Sequence, residues 1–290
     1  MAPVGEEPAQ WGVWCLMSTT LLANFAVRYS LPPLQLFIAQ ELGLGEAQRA
    51  ALLGAFFSGY IVTQFPAGLA VQRVGPKPIV TANLLGHAIF LALLPAAARF
   101  GSGGIYACLV GIGLSQGPLG PCHAAQKVDC VPSTGPLRAY ALTLSSIGSK
   151  IAGPLAGMAV PPCAARFGWR VVSSALAVTV GATAALWHAC GPAPKPLADS
   201  GAEAQRGPTI EWRVFRTSGV LATAVAHLID NFSTYSIGLL APSVLTETLR
   251  VLPQQLGEHD RFLYAPILAG QRGSHRERRW QAPISLCQRR

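Results

Sequence analysis

Charge is what this chain lacks most. Only 12% of its 290 residues are Asp, Glu, Lys or Arg, and just 13 of them are acidic. Soluble globular domains carry about 25%. A chain with half that share cannot cover an ordinary water-facing surface with charge, which excludes a soluble enzyme and a disordered regulator. Cys15, Cys108, Cys122, Cys130, Cys163, Cys190 and Cys287 form no CxxC pair and no Cys/His metal spacing, so neither a disulfide framework nor a metal site is expected. Residues 1–10 contain Glu6 and Glu7 and no basic cluster, so a cleaved signal peptide is not expected. No HExxH or phosphate-loop motif is present, and no loop is long enough to house a catalytic domain. The expectation is a protein that is not an enzyme and holds no cofactor.

Apolar runs fill the space that charge leaves. Hydrophobic residues make up 51% of the chain. They cluster in stretches of roughly 20, the length that carries an α-helix across a ~30 Å hydrocarbon core. The expected spans are 11–29, 49–69, 78–98, 104–125, 138–159, 171–190 and 218–240. Residues 1–10 precede them, a Pro-rich polar linker occupies 191–217, and 253–290 is an atypical basic tail. The fold class is therefore an all-α polytopic membrane protein.

The net charge of +9 is unevenly placed. Arg272, Arg276, Arg278, Arg279, Arg289 and Arg290, offset by Glu277, supply more than half of it. The remaining cations sit in short loops, so the basicity reads as topology charge and not as a nucleic-acid footprint. With the N-terminus inside, inner loops carry Arg73, Lys77, Lys127, Arg138, Lys195, Arg206, Arg213 and Arg216, against Arg49, Arg99, Arg166 and Arg170 outside. This bias predicts a cytoplasmic N-terminus and a cytoplasmic linker.

Glycines punctuate the second, fourth and fifth spans: Gly54, Gly59, Gly68; Gly111, Gly113, Gly117, Gly120; Gly148, Gly153, Gly157. Small residues let helix backbones approach closely in lipid. Pro118 and Pro121 each remove a backbone donor, so a bend beside a cavity is expected in the fourth span.

These residues resemble a family. The run NFAVR at 24–28 looks like the first-helix pattern of the major facilitator superfamily, and it is closest to the anion:cation symporter branch of vesicular glutamate and nucleotide, sialic-acid and phosphate carriers. FFSGYIVTQFPAG at 56–68 is the strongest match, and GLAVQRVGPK at 68–77 is similar to the loop between helices two and three. GIGLSQGPLGPCH at 111–123 looks like the branch's glycine-proline motif. Leu137-Arg138, GWR at 168–170, IEW at 210–212 and LAP at 240–242 follow in order. The resemblance implies the N-terminal six-helix half of a major facilitator fold (11–190), plus a seventh helix and its exit (218–252). It also implies transport of a small anion (organic anion, nucleotide or phosphate) by alternating access between two halves.

Ionisable groups inside a membrane are costly and are functional candidates by default. Arg28 would line a central cavity and meet an anion, or else snorkel to the interface. Lys150 would bind substrate or pair with Asp230 in the seventh span. Tyr60, Gln64, Gln116 and Asn24 are hydrogen-bonding candidates, or interhelical glue. His123 is a candidate proton carrier or a packing residue, while His87, His188 and His227 read as packing or interface residues. Arg73, Lys77 and Arg138 would hold gating or coupling loops, or only set topology. Against the branch's pattern, Val27, Leu109, Gln116 and Asp230 replace charged residues that relatives carry, so substrate and coupling ion, proton or sodium, stay open. The family character fades after about residue 252, which leads to the expectation of a truncated product, with a dimerising half-transporter as the alternative. The second functional reading is a non-transporting isoform that self-associates or pairs with a full-length relative. A vesicular or other endomembrane is favoured.

Overall fold

The computed structural model describes residues 7–192 and 216–247, and these are helical with no strand among them. The elements are α1 (Glu7–Leu42), α2 (Glu46–Val74), α3 (Pro76–Ala97), α4 (Gly101–Gln116), α5 (Leu119–Cys130), α6 (Leu137–Leu144), α7 (Ile147–Phe167), α8 (Trp169–Cys190) and α9 (Ser218–Glu247). Most of the linker and the whole basic tail, with the IEW run, lie outside the described residues.

Three stretches, Glu46–Val74, Pro76–Cys130 and Trp169–Cys190, are long and apolar enough to cross a bilayer. They take in four of the seven expected spans; α1, α7 and α9 fall outside that set. Large apolar side chains point outward from these helices. Ile61 is 70% exposed, Phe65 65% and Val178 72%. In water such a surface would drive association, whereas against acyl chains it costs nothing.

The first helix does not stop where the sequence suggests. α1 runs 36 residues, ~54 Å at 1.5 Å per residue, straight through Pro32 and Pro33. Packing overrides the proline signal: Leu31, Leu34, Ile38 and Ala39 are buried, and Gln35 Nε2 donates to the Leu52 carbonyl of α2 at 3.1 Å.

The helices pack in pairs, α1 along α7, α2 along α4 and α3 along α8. Glycine makes two of these contacts possible. A Cβ on Gly113 would collide with the Phe56 carbonyl oxygen, and one on Gly148 with the Ser18 carbonyl oxygen. Gly148 N–H also donates to Ser18 Oγ at 2.9 Å, tying the start of α7 to α1.

The fourth span is broken between Gln116 and Leu119, at Gly117–Pro118. Proline cannot donate to the carbonyl four residues back, which leaves the Leu114 oxygen without its helical partner. Thr63 Oγ1 of α2 takes that place at 2.8 Å, and Asn83 Nδ2 of α3 donates to the next carbonyl, Ser115, at 2.6 Å. Side chains of two neighbouring helices thus hold the break open.

Candidate functional site

A cavity of about 570 Å³ opens beside this break. Its walls come from α1, α2, α5, α7 and α9, and it gathers five residues expected to bind or couple: Arg28, Tyr60, Gln64, His123 and Lys150. It also holds residues that sequence reasoning placed elsewhere or passed over. Lys127, expected as an inner-loop cation, sits in the last turn of α5 and lines the cavity, as do Ser146, Ser149 and Asn231. His227, read as a packing residue, lines it too. The available signal was helical spacing. His123 and Lys127, and likewise Ser146 and Lys150, stand four residues apart and so share a face where the helix is continuous.

Arg28 is buried within the bundle at 6% exposure. Its guanidinium carbon lies 4.7 Å from the Tyr60 ring centre and 5.2 Å from those of Phe25 and Phe56. Aromatic faces stabilise a cation in such a setting without neutralising it. Its Nε donates to Gln116 Oε1 at 2.8 Å, and Gln116 Nε2 in turn donates to the Asn24 carbonyl at 2.8 Å. Gln116 is therefore not a cavity wall; it is the neutral bracket that fixes Arg28 between α1 and α4. Asn24 Nδ2 donates to the Thr20 carbonyl of its own helix at 2.8 Å, so the Asn24 amide is turned along α1 and does not line the cavity. Gln64 Nε2 donates to the Tyr60 hydroxyl at 3.3 Å.

The other expected gating groups stand apart from the cavity. Asp230 is exposed on α9, is not among the cavity's lining residues and does not pair with Lys150. Lys77 Nζ donates to the Gly191 carbonyl at 2.8 Å and caps the C-terminus of α8. Arg138 donates to the Pro132 and Ser133 carbonyls at 2.9 and 2.8 Å, closing its own loop. Arg73 is exposed in the last turn of α2. His87 is fully buried, with Nδ1 2.9 Å from the Asn83 carbonyl.

At the far end of α1, Glu41 accepts from Trp169 Nε1 at 2.8 Å and forms a bidentate pair with Arg170 at 2.6 Å. The Arg170 hydrogen bond, opposed by slight burial and aided by the Trp169 indole, holds the Glu41 carboxyl below the usual carboxylate range. Because the folded-state value is the lower one, the stabilisation is present at neutral pH and is lost as pH falls through it. Thermal unfolding of Glu41→Gln should therefore show a deficit against the native protein at pH 7 that narrows as the pH is lowered below about 4.

Residues 16–268 match the profile described as Major Facilitator Superfamily. Sialin of Ovis aries is 27% identical over 253 residues, covering 79% of this chain and 50% of sialin. A protein of Oryza sativa subsp. japonica named "Probable anion transporter 4, chloroplastic" is 24% identical over 259 residues, covering 84% of this chain and 43% of its own length. The crystal structure of a bacterial homologue of the human lysosomal transporter Spinster, inward-facing and unoccupied, superposes with a TM-score of 0.70 at 17% identity, covering 88% of this chain and 59% of that one. The chain spans about half the length, or less, of the curated relatives it matches. Its resemblance to the anion:cation symporter branch is borne out by relatives named as sialins, phosphate cotransporters and anion transporters. Since the profile takes in most of the sequence and the fold is that of a solved transporter, the chain belongs to the major facilitator superfamily.

Proposed function

We propose that this protein carries small anions across a membrane by alternating access. One observation supports the reading above all: the cavity is lined by Arg28, Lys127 and Lys150, with His123 and His227, and by no carboxylate among the described residues. Arg28 is buried and Lys127 half-buried, and a cavity that gathers three cations with no carboxylate among its described lining residues attracts anions. Tyr60 and Gln64 supply hydrogen bonds for orientation. His123 and His227 are the imidazoles on the cavity wall that could carry a coupling proton. Substrate would be held between this half and the helices opposite, and exposed to each side in turn as the halves rock. The anion-transporter name of the rice relative agrees with this assignment.

Gradient-driven uptake by proteoliposomes containing the purified protein tests it. Accumulation of labelled phosphate or glutarate above empty liposomes is the expected result. Transport of neutral solutes alone would overturn the proposal. Uptake that appears only when a longer relative is reconstituted alongside would instead favour an accessory subunit.

A further inference from the structure

The run AARFG occurs twice, at 97–101 and at 164–168, and neither copy lines the cavity. Each sits at the end of a helix, α3 or α7, where a glycine at positive φ (67° at Gly101, 84° at Gly168) turns the chain into the next helix. Both turns lie at one end of the bundle. α7 runs parallel to α1, with Gly148 against Ser18 and Gly153 against Tyr29. α8 begins where α1 finishes, since Trp169 and Arg170 meet Glu41. α3 runs antiparallel to α8: Trp187 Nε1 donates to the Lys77 carbonyl and Ser173 Oγ to the Leu91 carbonyl. Arg99 and Arg166 therefore stand on the same rim.

Helix length fixes the depth of that rim. α3 has 22 residues and α7 has 21. Each rises ~32 Å at ~1.5 Å per residue, close to the ~30 Å of a hydrocarbon core. The Arg-Phe pair at each end thus falls where acyl chains give way to headgroups. Phe100 is 80% exposed and Phe167 57%. Arg99 and Arg166 are exposed too, and neither pairs with a carboxylate among the described residues. Glu41, on this rim, is already taken by Arg170. The Arg166 guanidinium carbon lies 5.3 Å from the Phe167 ring centre, so charge and ring present one surface. Water solvates such a guanidinium but penalises the ring, and hydrocarbon does the reverse. A phospholipid at the boundary satisfies both, because guanidinium matches the geometry of a phosphate group.

We infer that the two AARFG turns are seats for anionic phospholipids. In each, the phosphodiester sits on the guanidinium of Arg99 or Arg166, and the first methylenes of an acyl chain lie on the ring of Phe100 or Phe167. Two such lipids tie the ends of α3 and α7 to one leaflet and hold the rim at a fixed depth. The inference is independent of what the cavity carries. Free phosphate would meet the charge and forgo the ring, and a lipid without phosphate would do the opposite.

Native mass spectrometry of the delipidated protein, titrated with phosphatidylglycerol in detergent, tests this. Two phosphatidylglycerol molecules should bind about fivefold more tightly than phosphatidylcholine, the size of one arginine's attraction to an anionic membrane surface. R99Q and R166Q should each keep one such lipid and R99Q/R166Q none. R73Q, which removes an exposed arginine from the last turn of α2 at the opposite rim, should keep both. Diacylglycerol, which lacks the phosphate, should bind more weakly than phosphatidylglycerol, and inorganic phosphate at equal concentration should displace neither lipid. The inference is overturned by equal affinity for phosphatidylglycerol and either phosphatidylcholine or diacylglycerol, or by displacement with inorganic phosphate. Two tight lipids surviving R99Q/R166Q, or one lost in R73Q, would overturn it as well. The comparison of lipids on the native protein decides the matter even where a variant does not fold.

Discussion

Arg28→Ala is expected to lower the initial rate of anion uptake by about a hundredfold, in line with the loss of one partner of a buried charged contact. Arg28 is buried, boxed by Phe25, Phe56 and Tyr60, and held at Nε by Gln116. Truncation removes the charge and leaves the Gln116 oxygen without that donor. Arg28→Lys should recover only a small part of the rate. A single ammonium cannot engage Gln116 and a substrate oxygen in the fork geometry that guanidinium allows. Gln116→Glu supplies the complementary test. It puts a carboxylate at hydrogen-bond distance from Nε, where it competes with substrate for the same cation. Uptake should fall at neutral pH and recover on acidification, since protonating the glutamate restores a neutral bracket. Proteoliposome rates for the three variants, each checked for an unchanged melting profile, decide the matter. Unaltered uptake by Arg28→Ala would return Arg28 to a snorkelling role.

Gly113→Val should cost the fold itself. The Cβ and its methyls would enter the space of the Phe56 carbonyl oxygen and the Tyr60 nitrogen. Both are backbone atoms of a paired helix and cannot swing aside, so the cost is at or above the 1–3 kcal/mol typical of overpacking (an order-of-magnitude figure). Tyr60 also stacks on Arg28, so displacing α2 disturbs the site as well. Gly54, on α2, provides the contrast. It faces open space, and alanine there should be neutral or stabilising by up to about 1 kcal/mol through helix propensity alone. Thermal unfolding in detergent should place Gly113→Val many degrees below Gly54→Ala. Equal melting temperatures would show that the α2–α4 contact does not limit stability.

Much of the architecture was legible beforehand. The apolar runs marked out the helices because each must satisfy its own backbone in lipid, and the Gly-Pro cluster marked the break in the fourth span. Five expected site residues share the cavity because intramembrane polar groups rarely lie idle. The errors have physical causes. Lys127 looked like loop charge because the break at Pro118 hides that a helix resumes and carries it inward. Lys150 and Asp230 looked like a pair because both are isolated charges in apolar runs. Their helices instead direct them differently, one into the cavity and the other to the surface of α9.

By itself, then, the sequence determined the membrane class, the helices and which residues share a face, since those follow from apolar length and helical period. Only the tertiary structure decided which faces meet. It set Gln116 under Arg28 across 88 residues of chain, turned Lys77 into a helix cap and let α1 run on through two prolines. Side-chain partners separated by that much chain are chosen by helix packing, and no local pattern encodes the choice.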